Sequence, residues 1–197
     1  NYDSEANIDD GSCEYLNTVT DIDGNVYETV QIGEQLWMAE NLKVSHYNDG
    51  SEIPTGYNNS EWGWLNMGAY AVYDDDPVNA DVYGNLYNWY TVDDDRGVCP
   101  DGWHIPSDEE FMELEMFLGM SESEANDTGY RGTNEGSKLA GNADFWYDGN
   151  LENNSEFGTS GFNALPAGRR HSNSGSYIYM GTRSYFWSSS GNSNSTF

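Results

Sequence analysis

The chain has 197 residues, with 34 Asp and Glu against 7 Lys and Arg for a formal charge of −27, and aromatics make up 15% of it. That balance excludes a nucleic-acid partner, whose phosphates are bound by displacing counterions with Lys and Arg. Seven Trp, fifteen Tyr and seven Phe exclude a disordered acidic tail, because they can bury a core, and the length suits one domain. No apolar run approaches the length of a transmembrane helix, and the polar start Asn1-Tyr2-Asp3 is no signal peptide. Self-repulsion at this charge calls for salt or bound cations, a saline or calcium-containing exterior, with plain solubility as the competing explanation.

An acidic leader, residues 1–15, opens the chain. In it Asp3, Asn7, Asp9 and Asp10 crowd hard oxygen ligands around Gly11, either a calcium-binding turn or a solvated linker. Residues 17–21 and 26–32 alternate in character and are joined through Asp23-Gly24, a tight-hairpin dipeptide, so a β-hairpin is expected. Asp21, Asp23 and Asn25 alternate as calcium ligands do, but Gly24 stands fourth and Ile32 holds the place of a twelfth-position Glu, so the turn explains them without a metal. Short strands are expected at residues 36–38 and 69–73, separated by a Gly/Asn/Pro-rich loop, and a first helix over residues 83–92 from Leu86, Trp89 and Tyr90. Flanking it, Asp74-Asp75-Asp76 and Asp93-Asp94-Asp95 read as solvated loops.

The segment Cys99 to Gly119 is the most legible. Ser107 followed by Glu110 is a capping box that starts a helix at Asp108. Phe111, Leu114, Phe117 and Leu118 form one apolar stripe, and Gly119 supplies a left-handed stop. Asp108, Glu109 and Glu110 sit in the first turn, where the helix dipole favours them. Beyond Gly119, residues to about 176 are Gly-, Ser- and Asn-rich and read as a long irregular loop region, where binding usually sits.

The motif Gln35-Leu36-Trp37-Met38-Ala39-Glu40-Asn41-Leu42 and the Cys99 to Gly119 segment are joined in order by Asp21-Ile22-Asp23-Gly24-Asn25-Val26-Tyr27 and Tyr83-Gly84-Asn85-Leu86-Tyr87-Asn88-Trp89-Tyr90. Ser160-Gly161-Phe162-Asn163-Ala164-Leu165-Pro166-Ala167-Gly168 and Phe186-Trp187-Ser188-Ser189-Ser190 complete the series. Over roughly residues 18 to 190 this pattern resembles the Fibrobacter succinogenes major paralogous domain, a family of bacterial surface and secreted proteins. The resemblance implies an α+β, C-type-lectin-like fold with short twisted antiparallel strands, two main helices and a long irregular loop region, occupying residues 16–197. It implies no activity, and an extracellular or cell-surface location. It also implies that Cys99 pairs with a late Cys beyond Phe197, and that residues 1–15 are the end of a Cys-bounded repeat whose partner for Cys13 lies upstream. Both ends are then expected to be cuts within a longer polypeptide. From the residues alone a Cys13–Cys99 bridge stays open.

Catalysis has little support. His46, His104 and His171 are scattered without zinc-ligand spacing, His104 before a helix cap reads as structural, and no Gly-x-Ser-x-Gly elbow occurs. The lectin-like oxidases use cysteines or metal chemistry that this chain does not match. Binding is the better expectation: Trp62, Trp64, Trp146, Tyr147, Tyr177 and Tyr179 lie in or beside the loops and can stack on sugar rings, although each could instead pack a small core. Trp37, Trp89, Trp103 and Trp187, within the motifs, are expected in the core. Arg169-Arg170-His171 is the sole basic cluster, either an internal ion-pair partner or a contact for the acidic face of a neighbouring copy. The expected function is a non-catalytic adhesive or ligand-binding surface module, with carbohydrate, another surface ligand or copies of itself as partner and calcium as the one cofactor in view. The alternative is a structural subunit of an extracellular filament or appendage. If calcium binds, its millimolar addition should raise the melting temperature more than sodium salt of equal ionic strength, and identical melting in both would leave only screening.

Overall fold

The computed structural model describes residues 18–191. Calcium candidates Asp3, Asn7, Asp9 and Asp10, and Cys13, lie outside the described residues. The architecture is α+β, with short helices around small antiparallel sheets.

The hairpin forms as expected, with β1 (Thr18–Thr20) antiparallel to β2 (Val26–Ile32) and Val19 opposite Tyr27. Its connection is five residues rather than a two-residue turn, and Asp21 is the reason. The buried Asp21 carboxylate accepts from the amides of Asp23 and Asn25, both at 2.9 Å, and from the Tyr27 hydroxyl at 2.5 Å. The Tyr27 hydroxyl in turn accepts from the Lys43 amide at 3.0 Å. Strand β3 (Gln35–Met38) adds to β2 through a two-residue turn at Gly33 and completes a three-stranded sheet in the order β1-β2-β3.

Helix α1 (Asn59–Trp62) interrupts the Gly/Asn/Pro-rich loop expected ahead of residue 69; the Asn58 side chain accepts from the Glu61 amide, and Glu61 reaches back to the Asn58 amide. The expected strand at residues 69–73 is shorter, β4 (Tyr70–Ala71), because Asp74 and Asp75 turn the chain at positive φ. The helix expected over residues 83–92 does not form. Instead α2 (Val78–Tyr83) stops at Gly84 with φ 73°, β5 (Leu86–Tyr87) pairs with β4, and α3 (Trp89–Val92) starts on an Asn88 cap. The apolar spacing of Leu86, Trp89 and Tyr90 thus reflects a strand followed by a helical turn.

Helix α4 (Asp108–Phe117) has the expected capping box: the Ser107 hydroxyl accepts from the Glu110 amide at 3.2 Å, and the Glu110 carboxylate accepts from the Ser107 amide at 2.7 Å. Its end is a Schellman motif: Gly119, at φ 117°, donates its amide to Met116, and Met120 donates to Glu115. The expected stripe needs one correction. Phe111, Leu114 and Leu118 pack on the core, but Phe117 is 63% exposed and covers the β2–β3 turn, where any side chain at Gly33 would collide with its ring.

The stretch after Gly119 is more ordered than its composition predicts. It contains α5 (Glu122–Ala125), capped by Ser121 and Glu124, α6 (Glu135–Leu139), and the hairpin of β6 (Ala167–Arg170) with β7 (Tyr177–Met180). Among the described residues only α4 reaches ten residues, so the expectation of two main helices is replaced by one helix and several single turns. Three apolar clusters hold these pieces: Ile32, Trp37, Leu114, Leu118 and Phe162; Val44, Tyr47, Ile53 and Val98; and Trp62 with Ala69 and Ala71. Ser107→Ala removes a cap from the longest helix and should lower stability by about 1 kcal/mol in denaturant melts; an unchanged midpoint would show that the cap does not set the helix start.

Candidate functional site

A cleft of about 1120 Å³ opens between the sheets. One wall is residues 35–42, with edge strand β3; facing it are residues 85–90, the loop 98–106 and β6, with residues 185–187 at the rim. The lining is largely aromatic. Trp37 donates its indole N–H to Gln35 and lies 5.4 Å from Phe111 and 5.6 Å from Phe162, and Phe162 continues to Phe186 at 5.5 Å. A second pair, Trp89 and Trp187, has its ring centres 5.7 Å apart. The rim is tied down by hydrogen bonds between segments distant in sequence: the Trp187 indole to Tyr87 carbonyl at 2.9 Å, the Ser189 amide to Pro106 carbonyl at 2.8 Å, and the Asp108 amide to the Ser190 hydroxyl at 2.9 Å.

The titratable groups of the cleft are engaged in structure. His104 lies 2.8 Å from Glu110, whose carboxyl is held below the usual carboxylate range chiefly by the Ser107 amide, with His104 adding to it. Cys99 forms no disulfide among the described residues; it is half-buried, and that burial pushes its thiol up to about 11. Away from the cleft, Ser45, His46 and Asp23 come together, but both the serine hydroxyl and the carboxylate meet the same ring nitrogen, Nδ1, at 3.2 and 2.5 Å. A nucleophile relay needs them on opposite nitrogens. The cluster instead pins the β1–β2 turn: burial opposes ionisation of Asp23, yet the Ser45 amide and hydroxyl and His46 outweigh it and hold its carboxyl low. Asp94 grips Arg96 through both oxygens, and Asp75 accepts from the Tyr177 hydroxyl, so two of the acidic runs are partly engaged in local contacts. Among the described residues no group of three or more His, Cys, Asp or Glu is arranged to hold a metal ion.

The sequence model of the Fibrobacter succinogenes major domain matches residues 30–197, most of the chain. The chain belongs to that family. No curated protein and no solved structure matches it. Five of the six motif segments converge on the cleft: the Trp37 motif, the Tyr83–Tyr90 motif, the loop before α4, the Phe162 motif and the Trp187 motif contribute lining residues, whereas the Asp21–Tyr27 motif does not.

The six aromatic residues expected to bind do not converge. Trp62, 6% exposed, and the half-buried Tyr177 pack together in a core cluster on either side of Arg170, whose guanidinium carbon is 4.4 Å and 4.8 Å from their ring centres. They are structural because the β6–β7 hairpin closes over α1, with Gly63 and Gly175 at backbone contacts too close for a side chain. Trp64 stands 87% exposed, Trp146 donates its indole N–H to Gly141, Tyr147 lies on Gly181, and Tyr179 is exposed on β7. Of the six, only Trp62 lines the cleft. The expectation that the motif tryptophans are core holds for Trp37; Trp89 and Trp103 are half-buried in the lining, and Trp187 is 44% exposed. Arg170 also pairs with no carboxylate among the described residues: it is buried and donates to the carbonyls of Gly175 at 2.9 Å and Tyr57 at 2.7 Å. Trp62→Ala should therefore cost ~3–5 kcal/mol while Trp64→Ala stays within about 0.5 kcal/mol of the parent; denaturant melts giving equal losses would contradict this division.

Proposed function

We propose that this chain is a non-catalytic surface module of a larger secreted bacterial protein and that it binds a saccharide in the aromatic cleft. The observation carrying this reading is the convergence of family motifs on a cleft whose walls offer Trp89, Trp187 and Tyr90 together with the polar groups of Asn163, Asn173 and Arg169. Pyranose rings bury their C–H faces on aromatic planes while their hydroxyls take hydrogen bonds from amides and guanidinium groups, and a few polar groups on an apolar wall are the usual make-up of a ligand site. The engagement of His104, Glu110 and Cys99 in a cap, a side-chain hydrogen bond and burial supports binding over catalysis. The family resemblance supports reading the α+β frame as C-type-lectin-like and the location as extracellular. Calcium, in this reading, belongs to the acidic leader.

Trp187→Ala and Trp89→Ala should each weaken binding of a glycan selected on an array by about tenfold, roughly 1.4 kcal/mol, while Trp64→Ala leaves it unchanged. Trp187 is half-exposed, so its truncation separates binding from folding. Undiminished binding by both variants would remove the cleft from consideration.

A further inference from the structure

Acids outnumber bases about five to one in this chain, so each basic side chain has many carboxylates to choose from. Arg96, Arg131 and Lys138 each take one, at 2.7, 2.8 and 3.5 Å. Arg169 and Arg183 pair with no carboxylate among the described residues. Both are exposed and lie on tyrosines. The Arg183 guanidinium carbon is 4.4 Å from the ring centre of Tyr179, and its Nη1 donates to the Tyr185 hydroxyl at 3.4 Å. Arg169 is 5.0 Å from the ring centre of Tyr185 and 5.9 Å from that of Tyr179. Tyr179, the ring that both guanidinium groups share, sits at φ 72°, a left-handed conformation disfavoured for a bulky residue and concentrated at ligand clamps. Arg169 and Tyr185 are also lining residues of the cleft, so Arg169 stands at the rim of the proposed saccharide site, with Arg183 beside it on the shared rings of Tyr179 and Tyr185.

We propose that Arg169 and Arg183 receive the carboxylate of an acidic sugar residue, so that the ligand of the cleft is a uronate-bearing glycan; the proposal rests on the saccharide reading of the cleft. Guanidinium groups bind carboxylates through paired charge-assisted hydrogen bonds, and stacking on Tyr179 and Tyr185 fixes their planes in advance. The net charge narrows the ligand further. A long polyanion is repelled by a chain of −27, whereas an isolated carboxylate on a neutral glycan meets chiefly the local arginines, since more distant charges are screened beyond about 8 Å at physiological salt. The aromatic wall beside the pair favours a sugar ring over a glutamate side chain, which carries the same carboxylate without a stacking face.

Calorimetric or NMR titration at low salt with three probes tests this: an aldobiouronic acid, its neutral disaccharide counterpart, and a capped glutamate dipeptide. The acidic disaccharide should bind about tenfold more tightly than the neutral one, with the advantage shrinking as salt is added. In the R169Q/R183Q double variant that ratio should fall to about one. R169Q and R183Q alone should each reduce it in part, which keeps the test available if the double variant misfolds. Equal binding of the two disaccharides by the parent, or a ratio that persists in the variants, would overturn the proposal while leaving the cleft a saccharide site. A glutamate dipeptide binding as tightly as the acidic disaccharide would overturn the sugar assignment in favour of an acidic polypeptide. Absence of binding by either disaccharide would overturn the saccharide reading of the cleft and this proposal with it.

Discussion

The hydrogen bond from a main-chain amide to a side-chain carboxylate is the interaction on which this structure depends. With 34 acids and 7 bases, most carboxylates cannot find a cation, and a chain of short elements leaves many amide N–H groups at turns and helix starts without partners. The two shortages answer each other. Asp21 closes the first hairpin, Asp23 takes the Ser45 amide, Glu40 takes the Glu28 amide, and Glu135 gathers those of Thr133 and Asn134. Glu61, Glu110 and Glu124 repeat one capping box at three helix starts. Asp23, Glu110 and Glu135 are held below the usual carboxylate range in this way: for Glu135 burial works against ionisation, but the surrounding amides prevail and keep its carboxyl low. The contributions of these three are present above the unfolded carboxylate range and are lost as pH falls through their lower folded values, so acid weakens these closures even while it relieves repulsion.

A fold assembled from capped turns buries little apolar surface at any one place, and its core is accordingly divided. The cluster around Trp37, Leu114 and Phe162 joins the sheet to α4, the one around Val44 and Tyr47 lies under the loops, and the one around Trp62 closes the β6–β7 hairpin. The cleft lies where these clusters meet, which is why its aromatic residues are half-buried. Its walls come from segments distant in sequence, and the Asn163 amide reaches the Ala39 carbonyl across more than a hundred residues. Tilted and edge-to-face ring contacts, rather than regular sheet, carry the surface from Trp37 to Phe186.

What was legible in the sequence was local. The Ser107-Glu110 box and Gly119 predicted α4 within a residue at its start and end, because the signals and their partners lie within four residues of each other. The same rule applied at Asn58-Glu61 and Ser121-Glu124 would have found α1 and α5, which a Gly/Asn/Ser-rich composition concealed. The helix expected over residues 83–92 failed because helical spacing over eight residues cannot be told from a strand followed by one helical turn, and the φ of Gly84 decides between them. The site was the least legible part. Trp62 and Trp64 are neighbours in a polar loop, yet one is core and the other solvated, a difference made by a hairpin more than a hundred residues away. The recurrence of aromatic residues within every family motif was the available signal for the cleft, and a core assignment explained them equally well until Trp187 was seen at the rim.

The rarity of bases makes the placement of each one informative. Arg170 occupies the least favourable position for a cation, buried without a carboxylate among the described residues, and its cost is offset by main-chain carbonyls of Tyr57 and Gly175 and by the faces of Trp62 and Tyr177. In that place it does what a carboxylate cannot: it satisfies acceptors rather than donors, bonding the loop before α1 to the β6–β7 hairpin. Arg169, one residue away on the same strand, points the other use outward. Adjacent residues of a strand face opposite sides, so a pair of arginines in β6 gives one cation to the seam inside and one to the rim of the cleft. In a chain otherwise organised to present negative charge, that alternation is the means by which a single strand both closes the fold and leaves a positive group available at its surface.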